Sequence, residues 1–139
     1  MTRTQSESKR AIAAIPPETD GVAKAVVDAA FTVHAALGPG LLESVYETCL
    51  AHEFHKRGLK FQKQLSLPIV YDGIKLEAGL RLDFVVEDCL VVEVKAVDAM
   101  IPVFQAQVLT YLKLTGHRLG LLINFNVPVI QAGIRRLAL

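Results

Sequence analysis

Apolar positions recur at helical spacing in the first third of the chain. Val22, Ala25, Val26, Ala29, Val33, Ala36 and Leu37 fall on one side of a helix, with Lys24, Asp28 and Thr32 opposite and Asp20 placed to cap its start. Gly38-Pro39-Gly40 ends it. A second helix is predicted from about Leu42 to Arg57, where Lys56-Arg57-Gly58 sets basic charge at the negative end of the dipole and then glycine. The period then falls towards two. Lys63 to Tyr71 alternates loosely, Asp72-Gly73 is a hairpin signal, and Ile74 to Val86 reads as a long strand with a break near Gly79. Leu90 to Ala96 is a third strand. Pro102 to Thr115 returns to helical spacing through Val103, Ala106, Leu109, Leu112 and Leu114, with Gly116 beyond its end. Leu119 to Asn124 is a short buried strand, and Val127 to Leu139 adds an edge strand.

Helix, helix, three strands, helix, strand and edge strand make an α/β (α+β) domain with a mixed sheet and helices on its faces. The strand after the crossover helix is predicted to run parallel to the third strand. Residues 1–18 read as a flexible N-terminal arm with Pro16-Pro17 as punctuation, and residues 19–139 as one domain.

Composition narrows the picture. The 139 residues are 52% hydrophobic, enough for a real core in a single domain. Fifteen basic and fourteen acidic residues give a net charge of +1, which excludes a strongly basic nucleic-acid coat but leaves room for a local basic groove. Cys49 and Cys89 sit in apolar settings and form no CxxC pair, so two buried thiols in a reducing cytoplasm are expected. No apolar stretch reaches the roughly 18–20 residues of a membrane span, so no membrane association is expected.

The chemistry sits in the most apolar region. LDFVVEDCLVVEVKA, from Leu82 to Ala96, carries Asp83, Glu93 and Lys95 where charge is costly. Glu93 and Lys95, two apart on one strand, share a face. A three-residue loop, Glu87-Asp88-Cys89, sets Val86 against Leu90 and Asp83 against Glu93, whereas a two-residue loop sends Asp83 to the other face. In the first register two carboxylates and an ammonium converge. Two adjacent carboxylates repel, and a divalent cation resolves the conflict. Oxygen ligands, among them the Val94 backbone carbonyl, suit Mg²⁺ or Mn²⁺, and the lysine is placed to stabilise charge on a phosphate. The bland alternative is a self-satisfied buried ion pair in a domain of unrelated role.

Asp83 followed by Glu93-Val94-Lys95 resembles the signature of the PD-(D/E)xK nuclease superfamily. Gly40-Leu41-Leu42-Glu43-Ser44-Val45-Tyr46 resembles the motif that names the GxxExxY family within it. IKLEAG, RLDFVVED, VVEVKAVD, AQVLTYLKLTG and LGLLINF are similar to further stretches of that family, so the resemblance spans roughly residues 22–139. It implies a restriction-endonuclease-like core, α-β-β-β-α-β, with an extra N-terminal helix. It also implies a Mg²⁺- or Mn²⁺-dependent nuclease acting on phosphodiester bonds, in DNA. By resemblance, Asp83 and Glu93 are metal ligands, Lys95 is the catalytic lysine, and Glu43 is an additional acid beside the metal, directly or through water. The motif brings in Tyr46 as a substrate-binding or supporting residue. Gln107 and Tyr111 match a Gln-x-x-x-Tyr motif that supports the site or touches DNA, and their spacing puts them on one helix face. Phe104-Gln105 stand where close relatives are expected to carry His-Glu. The alternative on the same fold is a non-catalytic nucleic-acid-binding or protein-interaction module. Charge this balanced leaves a homo-oligomer or a protein partner to complete the binding surface.

Overall fold

A computed structural model describes residues 14–139, so most of the proposed arm, residues 1–13, lies outside the described residues. Helix α1 spans Pro17–Leu37 and α2 spans Glu43–Lys56. Asp20 does not cap α1. The cap position is Pro16, four residues earlier, because Pro17 occupies the first turn, where its missing N–H costs nothing. Asp20 instead lies in the first turn and pairs with Arg136 from the far end of the chain. The buried stripe of α1 is Ala23, Val26, Ala29, Ala30 and Val33, while Ala36 and Leu37 at its end are exposed. In α2 the buried Tyr46, Leu50 and Phe54 recur every four residues and face the sheet.

Strands β1 (Phe61–Tyr71), β2 (Ile74–Val86), β3 (Leu90–Lys95), β4 (Leu119–Asn124) and β5 (Ile134–Ala138) form one sheet in the order β1-β2-β3-β4-β5. Helix α3 (Pro102–Thr115) crosses from β3 to β4, and a 3₁₀ turn (Ile130–Gly133) precedes β5. As expected, β3 and β4 are parallel, and the other neighbouring pairs are antiparallel. The α-β-β-β-α-β order with an added N-terminal helix is therefore observed. Among the described residues no helix is long and apolar enough to cross a membrane.

The sheet separates two apolar layers. On one side α1 and α2 cover Phe84, Val86, Val92, Val94, Leu121 and Ile123. On the other, α3 covers Val85, Val91 and Leu122 through Val108, Tyr111 and Leu112. Gly120 allows this approach: a Cβ there would lie 2.6 Å from Val108 Cγ1. Strand β2 outruns β3, so its first part and β1 continue as a two-stranded ribbon whose tip exposes Val70, Tyr71 and Ile74. The expected break near Gly79 is a register shift between Leu67 and Ile69, where Leu67 O would lie 2.4 Å from a Cβ on Gly79.

Candidate active site

Main-chain pairing of β2 with β3 is limited to Phe84↔Val92, Val85↔Val91 and Val86↔Leu90. The loop is the three-residue Glu87-Asp88-Cys89: Glu87 and Asp88 take φ values of 50° and 51°, and the Cys89 N–H donates to Val86 O at 3.1 Å. One step further this register sets Asp83 against Glu93, and there the ladder ends. Carboxylates take over from carbonyls. The Asp83 N–H donates to Glu93 Oε1 at 2.9 Å, and the Val94 N–H donates to Asp83 Oδ2 at 2.8 Å.

Where the strands part, groups from both layers meet. Glu43 opens α2, Lys95 ends β3, and Tyr111 comes from α3. Burial pushes the Glu43 carboxyl above its ordinary range; the Lys95 ammonium pulls it back, and the Asp83 and Glu47 charges push it up again. Glu93 is only 5% exposed. Burial first, and the Asp83 charge second, push its carboxyl up to about 9. Tyr111 is raised by burial and then by the negative charges of Glu93 and Asp83, which places its hydroxyl within electrostatic reach of the pair. The Lys95 ammonium lies 4.5 Å from the centre of the Phe104 ring, a cation–π contact at the position where histidine was expected.

Two expected residues stand apart from this cluster. Gln107 is exposed, one turn before Tyr111. Tyr46 is fully buried, stacked on Phe125 at 4.7 Å. Its hydroxyl donates to Gly38 O at 2.6 Å and accepts from the Leu41 N–H at 3.1 Å. It thus braces the loop that delivers Glu43. Tyr46→Phe keeps the stacking and deletes both bonds. It is expected to lower stability by about 1–2 kcal/mol in urea denaturation and to speed exchange of the Leu41 amide.

Five further residues help build the site; of these the sequence reading had noticed Phe104, for the histidine it replaces. Glu47, buried one turn after Glu43, accepts a hydrogen bond from the Gln64 amide, which also donates to Asp83 Oδ1 at 3.4 Å. Phe104 carries Lys95. Asn124, paired with Lys95 across β3 and β4, grips Val97 both ways: the Val97 N–H donates to Asn124 Oδ1 at 3.1 Å, and Asn124 Nδ2 donates to Val97 O at 3.0 Å. Asn126 Nδ2 donates to Asp98 Oδ1 at 3.1 Å, and the Gly40 N–H donates to Asn126 Oδ1 at 3.0 Å. These bonds tie the chain after Lys95 to the loop before Glu43. A polar residue ending the buried run LGLLIN was the available signal for Asn124; no comparable signal marked Glu47, Gln64 or Asn126.

Among the described residues no three acidic, histidine or cysteine side chains form a ready-made metal cage. The donor set still fits Mg²⁺, which keeps several waters and takes one or two protein carboxylates plus substrate phosphate oxygens. A family model for the PD-(D/E)XK nuclease superfamily matches residues 20–137. No curated protein and no solved structure matches the chain.

Proposed function

Because the chain belongs to the PD-(D/E)XK nuclease superfamily, we propose that it hydrolyses phosphodiester bonds in DNA with a divalent cation, Mg²⁺ or Mn²⁺, held at the parting of β2 and β3. The observation that carries this reading is the pairing of Asp83 and Glu93 across that gap, each bonded to a main-chain N–H of the opposite strand. Two carboxylates held this way hold their orientation, and their mutual repulsion is relieved by a cation. Asp83, Glu93 and the Val94 carbonyl would hold it, with Glu43 assisting directly or through water. The bound cation would supply Lewis-acid stabilisation of the phosphoryl oxygens.

The chain's own groups account for the remaining tasks. The Lys95 ammonium, steadied over Phe104, orients the attacking water and stabilises charge on the pentacovalent phosphate. Tyr111 lies close enough to the carboxylates to support them, and the exposed Gln107 one turn away is placed to meet the nucleic acid. A second copy or a protein partner would complete the nucleic-acid-binding surface.

Calorimetric titration of Mn²⁺ tests the centre. Saturable binding to the parent protein is expected, weakened at least about tenfold in Asp83→Asn. Equal affinity in the two proteins rules out Asp83 as a ligand. The titration is repeated with a short DNA duplex present, since phosphate oxygens belong to the completed site.

A further inference from the structure

Gln64 holds a conformation that its place in the sheet does not require. It lies in mid-β1 with φ of 55°, the left-handed region that non-glycine residues rarely adopt. The ladder is in register on both sides, with Lys63 against Phe84 and Leu65 against Leu82. Gln64 falls between these pairs, opposite Asp83. No extra residue is accommodated at this point, so the twist is not a bulge. Nor does apolar packing impose it, because Gln64 is exposed. Such strain persists only where other interactions over-determine it.

The side chain supplies those interactions. One amide nitrogen serves two carboxylates, Glu47 Oε1 and Asp83 Oδ1. A primary amide nitrogen has two N–H donors, one for each, and an ionised carboxylate can only accept. Asp83 is then fixed at both oxygens: Oδ2 by the Val94 N–H and Oδ1 by Gln64. Glu47, 8% exposed, has its buried charge met by the same amide.

We propose that Gln64 is a positioning residue: its strained backbone delivers one amide between Glu47 and Asp83, locking the Asp83 carboxylate in its cation-holding orientation and linking α2 to β2. The inference rests on the reading of Asp83 as a metal ligand, and its consequence is an affinity. Outer partners that orient a ligand typically change metal affinity about 10–100-fold when removed.

The test separates backbone from side chain. Gln64→Gly relieves the left-handed conformation and deletes the amide. It is expected to bind Mn²⁺ at least about tenfold more weakly by calorimetry, and to shift the Val94 amide proton resonance in the metal-free protein. Gln64→Asn, which tolerates the same φ but is one methylene shorter, is expected to weaken Mn²⁺ binding in the same way, and it decides the matter if the glycine variant does not fold. Parental Mn²⁺ affinity in either folded variant overturns the proposal. Should the parent itself bind no Mn²⁺, with or without duplex, the metal-centre reading fails by itself. The Val94 resonance then decides the anchor: a shift in Gln64→Gly upholds the positioning of Asp83, and an unchanged resonance refutes it.

Discussion

Lys95→Ala is expected to cleave duplex DNA about 10²–10³-fold more slowly than the parent in Mg²⁺, the usual effect of removing one group aimed at transition-state charge. Its melting temperature should stay close to the parental value. The two halves of this expectation have different sources. Lys95 ends β3, and its main chain is held independently of the side chain: it pairs with Asn124 of β4, and its carbonyl accepts from the Phe125 N–H at 2.9 Å. Truncation therefore leaves the strand in place. The ammonium is the positive group among Glu43, Glu93 and Asp83, half-buried over the Phe104 ring. On the proposed mechanism its loss removes charge and donors from the point where phosphate charge would develop, and an exposed or half-exposed cation–π contact contributes only about 0.5–1 kcal/mol to stability. A Lys95→Ala protein that cleaves at the parental rate refutes the role assigned to this lysine. A variant that is both inactive and unfolded would mean that the lysine is structural, and circular dichroism separates that outcome.

Where apolar period and turn chemistry agree, the elements are legible to the residue. Ile74–Val86, Pro102–Thr115 and Leu119–Asn124 carry the predicted bounds, because Asp72-Gly73, Pro102 and Gly116 each end one pattern and begin another. The start of α1 was misplaced because two signals compete there: Asp20 is a good cap, but Pro16-Pro17 offers a start that needs no side-chain cap. The Asp83–Glu93 register was readable because period two turns a loop length into a choice of face. What lay beyond reach is whatever depends on the strands parting. A three-residue loop says that Asp83 and Glu93 face each other, but not that pairing stops beyond Phe84 and Val92. Glu47 reads as an ordinary polar position of α2 until the left-handed backbone of Gln64 brings its amide to it. Nothing in the residue type announces a left-handed glutamine in a strand. Phe104 was noticed for the histidine it replaces, and its contact with Lys95 depends on the packing of α3.

In the metal-free protein, Glu93→Gln is expected to raise stability at pH 8 by about 2–4 kcal/mol, with the gain vanishing near pH 5. The folded protein raises the Glu93 carboxyl to about 9, above its ordinary value of 4.5, through burial and then the Asp83 charge. A raised carboxyl keeps a proton in the native state that the unfolded chain has already released. Its contribution to stability is therefore fully present below about pH 4.5 and is lost as pH rises through about 9. Between those limits the one-proton difference changes the folding equilibrium up to tenfold per pH unit. Glutamine needs no proton, keeps the oxygen that accepts from the Asp83 N–H, and removes the conflict. Urea denaturation from pH 5 to 9, with chelator present, is expected to show parental stability falling relative to the variant. Parallel pH profiles would mean that Glu93 ionises without cost and that the pair is not in conflict. Adding Mg²⁺ at pH 8 extends the argument. Divalent cation favours the ionised pair over the protonated one, so binding releases a proton and stabilises the native state by mass action. The parent should regain stability with increasing Mg²⁺, and Glu93→Gln should respond less. On the proposed reading, the carboxylate pair that destabilises the empty site is the feature by which the site would select a cation.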